Sequence, residues 1–182
     1  MIQEATYHFS LEQYERLIET GVLQEDERIE LLNGKLYSMT PIGPSHAYTV
    51  LQLTQRFISK LGERVVVSSQ NPVKLPPNSE PEPDIALLKP PAETYRESLA
   101  EAEDILLVVE VADSSLEYDR TTKLPIYAQA GIPEIWIINL KDGGLEVYRE
   151  PKQGRYGQLI TYRKGDEVAP LKFARDEVDW WS

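Results

Sequence analysis

Cysteine is absent from the 182 residues, which excludes disulfides, thiolate metal sites and cysteine nucleophiles. Histidine is almost as scarce: His8 and His46 are too few for an all-protein histidine metal site. Any metal is therefore expected on carboxylates. Long apolar runs are missing too, since the longest, Ile105 to Val109, has five residues against the roughly 20 that a membrane-spanning helix needs. No membrane span is expected. The opening Met1-Ile2-Gln3-Glu4-Ala5-Thr6 has neither the basic start nor the apolar stretch of a secretion signal, so a cytoplasmic location is expected. Positive charge is also short: 19 Lys and Arg face 30 Asp and Glu, leaving a net charge of −11. Bulk attraction to a polyanion is excluded, and any nucleic-acid contact must be local. Residues 1–33 carry eight acids against Arg16 and Arg28, whereas 149–164 carry Arg149, Lys152, Arg155, Arg163 and Lys164 against Glu150. That basic stretch reads as a solvated hairpin or as a phosphate-facing, DNA-binding patch.

What is present suits one compact α/β domain: 41% hydrophobic and 27% charged residues, with no repeat and no low-complexity linker. Ser10-Leu11-Glu12-Gln13 fits a capping box, and Leu11, Tyr14, Leu17 and Ile18 recur at helical spacing up to Gly21. Strand-like runs Arg28 to Leu32 and Lys35 to Met39 flank Asn33-Gly34, a type I′ turn pair. Ser45 is expected to cap a second helix whose Ala47, Val50, Leu51, Phe57, Ile58 and Leu61 share a face ahead of Gly62. Val65 to Ser69, Ile85 to Leu88, Ile105 to Val111 and Glu134 to Leu140 read as strands, the third buried on both faces. Between the last two lies a helix from about Thr121 to Ala130, which makes a βαβ unit. Leu145 to Tyr162 supplies two more strands with turn residues Gly154 and Gly157, and Trp180-Trp181 reads as an anchor for the tail. The expected divisions are an N-terminal helix and hairpin (1–44), an αβββαβ core (45–140) and a C-terminal hairpin and tail (141–182).

Charges inside apolar strands are informative, because a buried carboxylate without a partner is costly. Asp84 opens one strand and Glu110 interrupts another near its end. If those strands run antiparallel as neighbours, the two carboxylates meet, a pair suited to Mg²⁺ or Mn²⁺. The plainer alternative is a turn cap and an ion pair. Asp119, Lys123 and Tyr127 lie four residues apart on one helix face, with Pro125 placing the helix start near Thr121 and Asp119 before it. Read alone, Asp119 and Lys123 form a surface pair. Strand alternation likewise puts Glu30 in solvent, and His46 either meets a phosphate or covers the helix end.

These fragments together resemble a known family. The αβββαβ order, Pro83-Asp84 and Glu110 resemble the PD-(D/E)XK nuclease superfamily. More narrowly, Glu30-Leu31-Leu32-Asn33-Gly34, His46, Pro81-Glu82-Pro83-Asp84-Ile85, Val109-Glu110-Val111, Asp119, Lys123, Tyr127, Ala130-Gly131-Ile132 and Glu134-Ile135-Trp136 resemble a large bacterial restriction-endonuclease family within it, the Uma-two type, over residues 7–165. One position departs: where the superfamily has a lysine two residues after the glutamate, this chain has Ala112.

The resemblance implies a restriction-endonuclease-like fold with a mixed sheet and a metal held by Asp84 and Glu110, with the Val111 carbonyl and Glu30 as further ligands. Lys123 would orient or deprotonate the attacking water in place of the missing lysine, with His46, Asp119 and Tyr127 in support. The expected activity is Mg²⁺- or Mn²⁺-dependent DNA endonuclease, with a homodimer as the simplest way to cut two strands. The alternatives are a nuclease-fold module that binds nucleic acid or protein without turnover, and a glycosidase using Asp84 and Glu110, which leaves Lys123 without a role.

Overall fold

The structure, a computed structural model, describes residues 6–24, 27–174, 178, 180 and 181. Helix α1 (Leu11–Glu19) begins at the capping box, where the Ser10 side chain accepts from the Gln13 N–H and Gln13 returns to the Ser10 N–H. Strands β1 (Ile29–Leu32) and β2 (Lys35–Ser38) form a separate two-stranded sheet. Asn33 and Gly34 turn between them with φ of 48° and 77°, the positive pair that a type I′ turn requires.

Helix α2 (Pro44–Leu61) departs from the sequence reading at its start and on its buried face. Gly43, not Ser45, occupies the cap, because Pro44 fills the first helical position, where no N–H is needed. Buried His46, Val50, Leu53, Phe57 and Leu61 form the inner stripe, while Leu51 and Ile58 are each 54% exposed and Ala47 lies outside. The seven-residue steps from His46 to Leu53 and from Val50 to Phe57 define this stripe, which shares Val50, Phe57 and Leu61 with the expected one and is turned from it by about 60°.

The main sheet runs in the order β3 (Val66–Ser69), β4 (Ile85–Leu88), β5 (Ile105–Ala112), β6 (Glu134–Asn139), β7 (Gly144–Lys152) and β8 (Arg155–Arg163). Only β5 and β6 pair in parallel, so the sheet is mixed, and the αβββαβ order from α2 to β6 is the expected one. The C-terminal strands extend this same sheet. Gly154 lies in the β7–β8 turn as expected, whereas Gly157 sits inside β8 against Glu150.

Alternation sends neighbouring residues of each central strand to opposite faces. One face buries Ile85, Leu87, Leu107, Val109, Trp136 and Ile138 against Phe57 of α2 and Trp180 of the tail. The other buries Ala86, Val108, Ile135 and Ile137 against Ile126 and Tyr127. Trp180 is 1% exposed and donates its indole N–H to the Asp166 carbonyl at 2.9 Å, so the tail is anchored as expected.

The helical crossover between β5 and β6 starts earlier than Thr121. A short turn α3 (Leu116–Tyr118) leads into a π-helical stretch Asp119–Lys123 and then α4 (Leu124–Ala130). The wide turn lies just ahead of Pro125, whose ring crowds the preceding turn and which has no N–H for the α ladder. Asp119 is therefore inside the helical run. No helix among the described residues is long and apolar enough to cross a membrane.

Candidate active site

Strand register brings the two sequence-distant carboxylates together. Ile85 pairs with Val109 in the antiparallel β4–β5 ladder, so one step on Asp84 lies across from Glu110 on the same face. Both line a cavity of about 370 Å³, shared with Glu30, His46, Val111, Asp119 and Lys123. Of its walls, one comes from the end of β2 and the loop to α2, the other from the turn after β5.

Asp84 is held from two directions. Its Oδ2 lies 3.0 Å from His46 Nε2, at the first turn of α2, and accepts the Val111 N–H at 2.8 Å. Glu110 is held just as firmly: Oε1 accepts the Tyr127 hydroxyl at 2.6 Å and lies 3.3 Å from Lys123 Nζ. Lys123 is also 3.3 Å from Glu30 Oε2 and 3.5 Å from the Glu82 carbonyl. Asp119 accepts the Ser115 hydroxyl at 2.7 Å.

Two expectations are overturned by burial. Asp119 and Lys123 are 3% and 6% exposed, so they are not a surface pair. Glu30 is 2% exposed rather than solvated, because its short hairpin is covered on both sides: Tyr118 donates its hydroxyl to Oε1 at 3.0 Å, while Oε2 accepts the Glu82 N–H and faces Lys123. A four-residue strand gives alternation too little length to reveal a second covering layer. Tyr118, Ser115 and the Glu82 peptide were not singled out from the sequence. Ser115 had a signal, standing four residues before Asp119 in the spacing that also joins Asp119, Lys123 and Tyr127.

The local electrostatics follow from four carboxylates around one ammonium. Burial first, then Asp119 and Asp84, hold the Glu110 carboxyl well above the usual range, against the pull of Lys123 and the Tyr127 hydroxyl. Burial pushes Asp119 up to about 6 despite Lys123 and Ser115. Burial alone would lower Lys123, but Glu110, Glu30, Asp119 and Asp84 together keep it above the ordinary lysine range. The site is thus short of positive charge.

Among the described residues no three His, Asp or Glu side chains form a ready metal cage. The donor chemistry nevertheless fits a hard divalent cation. Asp84 Oδ2 and Glu110 Oε1 take all the hydrogen bonds on their carboxylates, while Asp84 Oδ1 and Glu110 Oε2 accept none from a described residue. All-oxygen ligands with unbalanced negative charge are what Mg²⁺ and Mn²⁺ take.

The basic stretch lies elsewhere. Strand β8 is three strands from β5, about 14 Å across the sheet. Arg149 is committed to Glu134, which is 0% exposed, at 2.7 Å, and so is no free phosphate ligand. Lys164 stacks on the Trp181 ring, while Lys152, Arg155 and Arg163 are exposed.

The family model Uma2, described as "Putative restriction endonuclease", matches residues 11–178. A solved structure from Anabaena variabilis, described as "a putative nuclease belonging to DUF820", is similar with a TM-score of 0.72 and 16% identity, covering 91% of each chain. At that identity the likeness shows the fold. A comparison with curated proteins gave no match. With the model spanning nearly all of its length and the fold agreeing, the chain belongs to the Uma2 restriction-endonuclease family.

Proposed function

We propose that this protein is a divalent-metal-dependent DNA endonuclease that hydrolyses phosphodiester bonds. The observation that carries the reading is the meeting of Asp84 and Glu110 on one sheet face, beside Lys123, in a single cavity. Asp84 and Glu110 would hold Mg²⁺ or Mn²⁺, with the Val111 carbonyl and Glu30 as further oxygens. Such an ion, when bound, lowers the pKa of a coordinated water and offsets charge on the phosphoryl oxygens.

The chain's own groups have separate tasks. His46 and the Val111 N–H fix the Asp84 carboxylate, and the Tyr127 hydroxyl fixes Glu110. Lys123 keeps its proton because carboxylates surround it, so it stabilises negative charge at the phosphate instead of abstracting a proton from water. It supplies the cation that Ala112 does not. A homodimer would present two such sites to two strands.

The experiment is nicking of supercoiled plasmid in Mg²⁺ or Mn²⁺ by the wild type, Asp84→Ala and Glu110→Ala. Metal-dependent nicking that either substitution abolishes is expected. Nicking that survives in either variant rejects the site. The second reading, a nuclease fold that binds nucleic acid without turnover, is favoured by Ala112 and by the absence of a ready cage among the described residues. It gains if the wild type binds DNA yet cuts it in neither metal.

A further inference from the structure

A pocket that takes a polyanion needs positive charge within reach, and this one has little. Among the described residues its lining includes six acids, Glu30, Glu82, Asp84, Glu110, Asp113 and Asp119, but only two side chains with permanent positive charge, Arg28 and Lys123. Lys123 serves the centre itself, where the bond is cut: its side chain is 8% exposed and faces Glu30, Glu110 and the Glu82 carbonyl, leaving it no reach to a neighbouring phosphate. Arg28 is different. Its side chain is 39% exposed and, among the described residues, holds a single ion pair, Nη2 to Glu82 Oε1 at 3.3 Å, at the long end of hydrogen-bond range.

The Glu82 peptide is built into the floor of the site. Its N–H donates to Glu30 Oε2 at 3.2 Å and its carbonyl faces Lys123 Nζ, two residues before Asp84. The carboxylate that now holds Arg28 is thereby tied to the carboxylates of the centre. A phosphate entering the cavity competes with Glu82 for a guanidinium whose fork matches phosphate oxygens at least as well.

Resting on the endonuclease reading above, we infer that Arg28 is the pocket's phosphate-binding residue, exchanging Glu82 for a backbone phosphate beside the one to be cut. The sequence reading gave phosphate contact to the β7–β8 arginines and lysines. The cavity lining gives it to a residue in the acidic N-terminal stretch.

The test is binding of a fluorescent DNA oligonucleotide by anisotropy, in an E110Q background so that no strand is cut, over roughly 50 to 200 mM salt. Adding R28Q is expected to weaken binding about ten-fold and reduce the slope of log affinity against log salt by about 1, the loss of one phosphate contact. R28K should keep the slope while losing part of the affinity, since an ammonium is a point charge without the fork. E82Q, which removes the competing carboxylate, should tighten binding. A control with K152Q and R155Q together, on β7 and β8, should leave the slope unchanged. An unchanged slope and affinity in R28Q, in a protein that still binds DNA, overturns this inference alone. Absence of DNA binding by folded E110Q overturns the endonuclease reading with it. R28K guards against an R28Q protein that fails to fold, because loss of slope there also contradicts the assignment.

Discussion

At the scale of single residues, the site is a set of carboxylates held near one another by Lys123. Removing that ammonium leaves Glu30 and Glu110 buried and facing each other's charge. Lys123→Met is therefore expected to cost about 3–5 kcal/mol of stability, read as a shift of the urea midpoint at neutral pH. A cost below about 1 kcal/mol would mean that these acids are neutral without it.

Glu80 makes a separate prediction. It is 7% exposed and its Oε2 has no hydrogen-bond partner among the described residues. Burial, opposed by Lys74 and aided by Glu15, pushes its pKa up to about 7. A carboxyl raised in the folded state favours folding below its ordinary pKa, and that contribution is lost as pH rises through the folded value. Between about pH 5 and 8, Glu80→Gln should flatten the decline in stability and raise it at the alkaline end by on the order of 2 kcal/mol. Parallel urea curves for wild type and variant across that range would contradict this.

The sequence made Asp84, Glu110 and Lys123 visible because each sits where its type is out of place or in helical phase with another. Strand alternation hid the burial of Glu30, which only the family resemblance marked, and nothing marked Arg28. Their roles depend on what the loop at 81–83 and Tyr118 do across 50 to 90 residues of chain, which alternation within a four-residue strand does not encode.

At the scale of elements, the β1–β2 turn positions Glu30 by pinning its hairpin to the chain before α1. Gly34 donates its N–H to the Asn78 carbonyl and accepts the Phe9 N–H. A Cβ at Gly34 would lie 2.8 Å from His8 Cβ and 3.0 Å from the Phe9 carbonyl, on a residue at φ +77°. Gly21, at φ +70°, would meet nothing within 4 Å. Gly34→Ala should accordingly cost about 2–3 kcal/mol and Gly21→Ala about 1 kcal/mol, compared by thermal unfolding. Equal costs would mean that the turn moves freely against residues 8 and 9.

Elements with strong local grammar were legible: the capping box of α1, the Asn-Gly turn and the β-branched β5. Those set by neighbours were not. Pro44 displaced the expected Ser45 cap, and the π-helical stretch ahead of Pro125 let the helical run begin at Leu116, which put Asp119 inside it.

At the scale of the whole molecule, the site depends on a sheet that is buried on both faces. Trp180 closes the α2 face from the far end of the chain and is almost fully buried. Trp180→Ala should destabilise by about 3–5 kcal/mol and lower Tm by on the order of 10 °C. A shift under about 2 °C would show that the tail is dispensable to the core. The parallel β5–β6 pair followed from the helix between those strands in the sequence, whereas the antiparallel β4–β5 pairing entered only as a condition. The distance of the basic β7–β8 hairpin from the carboxylates did not, because charge counted along a sequence carries no position across a sheet.

The most direct measurement is calorimetric titration of Mn²⁺ into the wild type, Asp84→Asn and Glu110→Gln. Saturable binding to the wild type that is lost or weakened at least ten-fold in both variants is predicted, since each removes a charged oxygen ligand from one ion. Equal binding by all three proteins would contradict a cation centre built from Asp84 and Glu110.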